Sequence, residues 1–496
     1  MAPSRSIPSP ASGGFGLNRR LRRWLAAEMR ALRSVVEASA AACGAEHSRK
    51  HFTSYQHLCL LLFHGLASHP SLHQSYEHFA ACGGLVAASG LGGTDDTDRL
   101  GVSYSHLAAS NGTRPAALLV GVVSHLLARV RQDGLGALPA GDPLLGSLII
   151  QDSTFLRLSL RLAGWLPLLR RPACSGVRVQ VWLHPSLDLP EVVELTSVKI
   201  NDRGSWNRTV LGDPARLATL VGQTLVVDLG YYRHVGFQRL FAAGVHLVTR
   251  RYPKTTVTVE EDRPIQPPLP DAAGERITVV ADQRVTLGSP NNHTSTVLRG
   301  LRLVTADVTP RIKTGHRTPT PRRSEIVTDR WDLTAAEVVQ VYLWRWQIEL
   351  FLRWLKGQLH LPRLLGYSEN AVELSVGLAV LVHLLLLLAA RALGLARRSP
   401  LLLARLAAAL QHLDPTRDGH ATPTLAQLPL RASTSRHTHL PSPVDLPSHR
   451  IQDGIGFQPT APGGVRSQPH LTGRRGRPGP SFQSTAPGSV SGPSRK

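Results

Sequence analysis

Apolar residues recur at helical spacing in three early stretches, Trp24–Val36, Phe52–Leu66 and Ala116–Val130. Gly83, Gly84, Gly92 and Gly93, then Asn111-Gly112 and Pro115, punctuate them with turn signals. This pattern predicts a helical region over residues 17–140. From about Leu144 the period shortens to two. Leu148-Ile149-Ile150 runs into Asp152; Phe155, Leu156, Leu158 and Leu160 follow at strand spacing; Val177, Val179 and Val181 alternate with polar neighbours. Thr224–Val227 is a β-branched, apolar run that ends at Asp228, and Gly244–Thr249 reads as another strand after a helix over Val235–Ala243. Strands in a run, then strands alternating with helices, predict an α/β domain with a mixed sheet.

The pattern changes again over residues 251–324, where Thr256–Val259, Ile277–Val280 and Leu301–Val304 are short alternating runs divided by Pro-rich breaks. A β-rich insertion is expected there. Thr334 and Glu337 stand in capping-box spacing and announce a long helix. Leu374–Ala390 is almost wholly apolar, reaches only the bottom of the membrane-spanning range and contains His383. A helix buried on all sides of a core reads the same way, and that reading is preferred, with no membrane partner. Beyond Pro415 the chain is dominated by Pro, Ser, Gly, Thr and His, with basic residues at Arg474, Arg475, Arg477, Arg495 and Lys496. Such a segment cannot bury enough apolar surface to fold alone. The expected organisation is a flexible arm (1–16), a helical domain (17–140), an α/β core (141–250 with 325–396), the β-rich insertion (251–324) and a mostly disordered basic tail (397–496).

Charge narrows the partners. The 496 residues carry 56 Lys+Arg against 34 Asp+Glu, a formal net charge of +22, and such a field attracts polyanions. The Ala-, Leu-, Arg-, Gly- and Pro-rich composition is also what a GC-rich genome produces, so charge alone does not decide. Cys43, Cys59, Cys82 and Cys174 are scattered, with no C-x-x-C pair; this argues against a zinc finger or a disulfide framework and fits a cytoplasmic protein. The Ser/Pro/Gly-rich start lacks the apolar core of a signal peptide.

The chemistry gathers on the helix after Thr334. Tyr342, Arg345, Glu349 and Lys356 fall within an arc of roughly 60° on a continuous helix, flanked by apolar Trp344, Ile348, Leu352 and Leu355. Arg345 and Glu349 also have the spacing of an ordinary i,i+4 surface ion pair. Asp152 and Asp228 each end a core strand, where open α/β sheets place ligand sites, although either could simply cap the following turn. Two such aspartates and a helix glutamate make a set of hard oxygen ligands suited to two Mg²⁺ (or Mn²⁺) ions. A metal pair of that kind activates the attacking oxygen and stabilises the leaving one in phosphodiester displacement.

The run Tyr342-Leu343-Trp344-Arg345-Trp346-Gln347-Ile348-Glu349, continued to Lys356, matches a Y-x2-R-x3-E-x6-K pattern. This resembles the signature of bacterial insertion-sequence transposases of the insertion-sequence-four family, within the wider DDE group. Asp228-Leu229-Gly230-Tyr231-Tyr232, with Phe237, Leu240, Gly244 and Val248-Thr249-Arg250, is similar to that family's second-aspartate block, and Asp152-Ser153-Thr154 to the first. The likeness extends from about Phe52 to Ala396. It implies a ribonuclease-H-like catalytic core interrupted by a β-rich insertion, with Asp152, Asp228 and Glu349 as catalytic metal ligands. It further implies that Tyr342, Arg345 and Lys356 contact DNA phosphates; Arg250, at a strand end, is expected to face the same backbone. The implied partners are double-stranded DNA, both element ends and target, and a second copy of the chain. Members with this signature often cut through a hairpin intermediate held by an insertion-domain aromatic; by position only, Trp331 is the candidate.

Other clusters weigh less. Asp95, Asp96 and Asp98 lack calcium-loop spacing, and His57, His64, His69, His73 and His78 read as partly exposed helix histidines rather than zinc ligands. Three functions compete: an active DNA transposase, a catalytically inactive transposase-derived DNA-binding protein, and a membrane protein anchored at Leu374–Ala390.

Overall fold

The computed structural model describes residues 11–46, 52–66, 71–92, 100–132, 147–158, 165–166, 169–170, 173–185, 189–197, 200–265, 276–289, 296–309, 320–358 and 364–392. The expected basic tail, the first ten residues, His69 and the Asp95–Asp98 cluster lie outside them. The chain is mixed α/β: helices come first, then a large sheet, then helices again.

The N-terminal helices are α1 (Ala11–Ala42), α2 (Ser54–Leu66), α3 (Leu72–Ala80), α4 (Gly83–Ser89), α5 (Tyr104–Thr113) and α6 (Ala117–Gln132). Helix α1 begins inside the segment expected as a loose arm, despite Gly13, Gly14 and Gly16. Ser71 and Ser103 cap α3 and α5 by accepting from Gln74 N and His106 N. His57 and His64 are not partly exposed as anticipated. Both are buried, and each meets a polar partner: His57 Nε2 lies 2.7 Å from Asn111 Oδ1, and His64 Nδ1 lies 2.8 Å from Ser75 Oγ. Those partners offset the cost of burying an imidazole.

Ten described strands form one sheet. They are β1 (Leu148–Leu158), β2 (Leu169–Arg170), β3 (Ala173–His184), β4 (Leu189–Ser197), β5 (Thr224–Val227), β6 (His246–Arg250), β7 (Val257–Asp262), β8 (Arg276–Leu287), β9 (Leu298–Thr309) and β10 (Arg322–Thr328). Their order is β2-β3-β1-β5-β6-β10-β9-β8-β7, with β4 also paired to β3. Only β1, β5 and β6 run parallel to one another. The crossovers between parallel neighbours carry the short helices α7 (Asp202–Thr209), α8 (Pro214–Thr219) and α9 (His234–Ala242). The β-rich segment expected as an insertion forms strands β7, β8 and β9, which continue the sheet beyond β10. Ile326, Val327 and Thr328 of β10, within the expected core, pair with Arg250, Thr249 and Val248 of β6.

The two faces have separate cores. Ile150, Val226, Val248, Val304 and Ile326 pack with α10 (Ala335–Trp344), α11 (Trp346–Gln358), α12 (Glu369–Ala392) and the N-terminal helices. Ile149, Leu225, Val227 and Leu247 pack on the other face with Trp206, Tyr231 and Phe237. Alternation along each strand produces this division. Helix α12 is long and apolar enough to cross a membrane, but 94% of its most apolar window is buried inside the protein. It packs against α6, α2 and α5 as the central core helix, and it is not a convincing membrane span.

Candidate active site

Strand register aligns the first part of the site. Gln151 pairs with Val227 across β1 and β5, and Val227 pairs with Thr249 across β5 and β6. One step further along the same three parallel strands come Asp152, Asp228 and Arg250. They form a row at the carboxyl edge, about 4.8 Å from strand to strand, and point to one face. Gly244, whose φ is +73°, closes the turn that returns the chain from α9 into β6.

Helices α10 and α11 cover that face. Thr334 and Glu337 make the anticipated capping box at the start of α10. The helix expected to be continuous is interrupted at Arg345. There Arg345 N and Ile348 N each reach a carbonyl three residues back, Tyr342 O and Arg345 O, at 3.1 and 3.2 Å. The guanidinium turns inward and lies between acids: Arg345 Nη2 donates to Glu349 Oε1 at 2.5 Å, and Nη1 is 3.6 Å from Asp152 Oδ2. Asp228 Oδ1 accepts from Arg250 Nη2 at 2.9 Å and from Tyr342 Oη at 3.2 Å. Arg345 and Arg250 both lie over the Tyr342 ring.

Asp152, Asp228, Arg250, Tyr342, Arg345 and Glu349 therefore come together from residues up to 197 positions apart (349 − 152). Lys356 does not join them; it is exposed at the end of α11, about two turns beyond Glu349. Trp331 is not there either. It follows β10 at the amino ends of β5 and β6, where Asp329 accepts from Leu247 N and Arg330 bonds Thr224, and it stacks against Arg263 and Arg302. The sheet thus separates Trp331 from the carboxylates along the strand direction, and the chain reversal through β10 is the reason.

Electrostatics distinguish the two aspartates. Burial pushes the Asp152 carboxyl up to about 7; Arg345 and the Ser153 N–H pull it down, but Asp228 and Asp202 oppose them. Burial also raises Asp228, yet Arg345 and Arg250 outweigh it and hold that carboxyl below its usual value. Tyr342 is pushed up to about 12 by burial. Among the described residues no three His, Cys, Asp or Glu side chains stand close enough to share one metal ion, because the Arg345 guanidinium fills the space between Asp152 and Glu349. The donor chemistry nonetheless fits a hard cation: Asp152 and Glu349 share the Arg345 guanidinium and Asp228 holds Arg250, so the three carboxylates are neutralised here by arginines.

Sequence reasoning missed a second polar group beside this row. Ser153 Oγ donates to Asp202 Oδ1, and Arg178 Nη1 donates to both. The helix-start signal was legible, since Asn201 caps α7 by accepting from Gly204 N at 2.7 Å. Nothing in the linear pattern linked it to Asp152.

Residues 144–385 match the family described as transposase DDE domain. The chain is 28% identical over 290 residues to "Putative transposase y4zB" of Sinorhizobium fredii (strain NBRC 101917 / NGR234), covering 58% of this chain and 71% of that protein. It is 24% identical over 240 residues to "Probable transposase for insertion sequence element IS5377" of Geobacillus stearothermophilus, covering 48% of this chain and 55% of that one. The matched stretch spans β1 to α12 and contains Asp152, Asp228, Arg250, Tyr342, Arg345 and Glu349.

Proposed function

We propose that the chain cuts transposon ends and joins them to target DNA through Asp152, Asp228 and Glu349, in a ribonuclease-H-like core of the insertion-sequence-four type. The observation that carries this reading is the parallel-strand row of Asp152 and Asp228, closed by Arg345 reaching from Asp152 to Glu349. A structural ion-pair face alone would leave Arg345 on the surface; here its guanidinium, paired to Glu349, also reaches Asp152. The reading as an inactive relic is not favoured, since all three carboxylates are present and Arg345 links two of them.

Asp152, Asp228 and Glu349 would hold divalent cations, Mg²⁺ or Mn²⁺, two by the resemblance. When bound, such cations activate an attacking oxygen and stabilise a leaving one. The chain's own part is to orient and to grip. Arg250 and Tyr342 fix the Asp228 carboxylate in one rotamer. Arg345 neutralises Asp152 and Glu349 in the protein alone, and with cations in its stead its planar fork suits a DNA phosphate. Arg250 and Tyr342 would be further phosphate contacts beside it, Lys356 would grip the DNA about two turns further along α11, and the net charge of +22 favours a polyanionic partner. A second copy of the chain, holding the other element end, is part of this proposal.

The test is cleavage of end-containing DNA. Cutting is expected to require Mg²⁺ or Mn²⁺, and Glu349→Gln is expected to abolish it while DNA binding persists, because Gln keeps the shape but loses the ligand charge. Robust cutting by that variant, or in EDTA, overturns the assignment.

A further inference from the structure

We infer that Asp202 is a positioning residue, bracing the strand ends that carry Asp152 and Asp228 from the opposite face of the sheet; the inference rests on the DDE reading of those two acids. Successive strand residues point to opposite faces, so Ser153 directs its hydroxyl away from Asp152. That hydroxyl meets the Asp202 carboxylate at 2.5 Å, and Arg178 Nη1 lies 3.0 Å from both. The Ser153 backbone N–H in turn donates to Asp152 Oδ1 at 2.8 Å. Fixing Ser153 therefore fixes the peptide that orients the first aspartate.

The same carboxylate reaches the second aspartate's turn. A Cβ on Gly230 would stand 3.1 Å from Asp202 Oδ2, so the 229–231 turn after Asp228 packs directly on it. One turn along α7, buried Trp206 meets Tyr231 edge-to-face at 5.9 Å, and Tyr231 Oη bonds Gln180 of β3 at 3.1 Å. Helix α7 thus holds both strand ends at a fixed spacing, and its start is itself fixed by the Asn201 cap. Arg178 and Ser153 already engage Asp202 Oδ1, so the carboxylate acts here as a hydrogen-bond acceptor rather than as a cation ligand. Outer groups of this kind typically change metal affinity about ten- to a hundredfold when lost.

The experiment titrates Mn²⁺ into the full-length protein without DNA, followed by water-proton relaxation, with melting temperatures and the Mg²⁺ concentration for half-maximal cleavage measured alongside. Asp202→Ala and Ser153→Ala are expected to weaken Mn²⁺ binding, and to raise that Mg²⁺ concentration, by about tenfold or more. Asp202→Asn retains an acceptor oxygen for Ser153 and Arg178 and is expected to stay within about threefold of the wild type. Should Asp202→Ala melt early, Ser153→Ala carries the comparison, because it removes one hydroxyl and no charge. Unchanged Mn²⁺ affinity in both alanine variants would overturn the inference. So would an Asp202→Asn variant as weak as Asp202→Ala, which would make the charge a direct ligand. Full Mn²⁺ binding by Asp152→Asn would instead strike at the DDE reading beneath it.

Discussion

Removing the Asp152 charge is expected to stabilise the metal-free protein while destroying its chemistry. Its carboxyl is raised from 3.8 to about 7, first by burial and then by Asp228 and Asp202, which Arg345 only partly offsets. The fold therefore prefers the neutral acid. The sign follows from linkage: with the folded value above the unfolded one, stability present at low pH is lost as pH rises from about 4 through about 7. At 1.36 kcal/mol per unit, a shift of about 3 units sets an upper bound of about 4 kcal/mol. The side chain keeps 22% of its surface open and has Arg345 within 3.6 Å, so screening reduces this to about 1–3 kcal/mol. Asp152→Asn mimics the neutral acid and should recover that amount at pH 8, worth roughly 3–8 °C in melting temperature for a domain of this size. The assay is thermal melting in EDTA at pH 5, 6, 7 and 8, for wild type and Asp152→Asn. Midpoints are compared, since a chain of 496 residues need not unfold in one step. The gain should grow with pH and level off above about 7, and saturating Mg²⁺ should narrow it by stabilising only the wild type. An Asp152→Asn protein less stable at pH 8, or a gain that ignores pH, would refute the reasoning.

Asp228 should behave in the opposite sense. Its folded value lies below the usual one because Arg345 and Arg250 outweigh burial, so it contributes stability above the unfolded value that is lost as pH falls; Asp228→Asn should lower the melting temperature at pH 7, and the deficit should shrink as pH falls below the ordinary carboxylate range. Arg302 and Asp282 form a buried bidentate pair at 2.8 Å, and Arg302 Nη1 also holds Arg330 O and Leu333 O just before α10. Arg302→Met should cost about 3–5 kcal/mol by leaving Asp282 only Arg263, 3.8 Å away, as a cation, and pairing it with Asp282→Leu should restore part of that in urea titrations, with Arg330 O and Leu333 O still lacking their donor; an unrescued double variant would deny the charge argument. If Arg345 and Lys356 hold DNA phosphates, replacing either with Ala should flatten the salt dependence of end binding by about one charge. Unchanged slopes with lowered melting temperatures would make that helix face structural.

Local pattern was enough to find the strands that end at Asp152 and Asp228, the Thr334 capping box and the apolar helix at Leu374–Ala390, because each depends on neighbours within a few residues. The same pattern put Asp152 and Asp228 at the carboxyl ends of core strands, where open α/β sheets place ligand sites, without excluding that they only cap the following turns. Tertiary structure alone decided what those residues touch. At the break, the Arg345 guanidinium meets two acids, one of which is 193 residues away (345 − 152). The β-rich segment continued the central sheet because β10, paired to β6, offered β9 its other edge, a pairing that no alternation of polar and apolar residues specifies. Trp331 was carried to the amino ends of the strands by the direction of β10, while Asp202 arrived behind Ser153 by packing of α7 on the opposite face. Periodicity records which way a side chain faces along its own element; which elements become neighbours is settled by burial and hydrogen bonding across the whole chain.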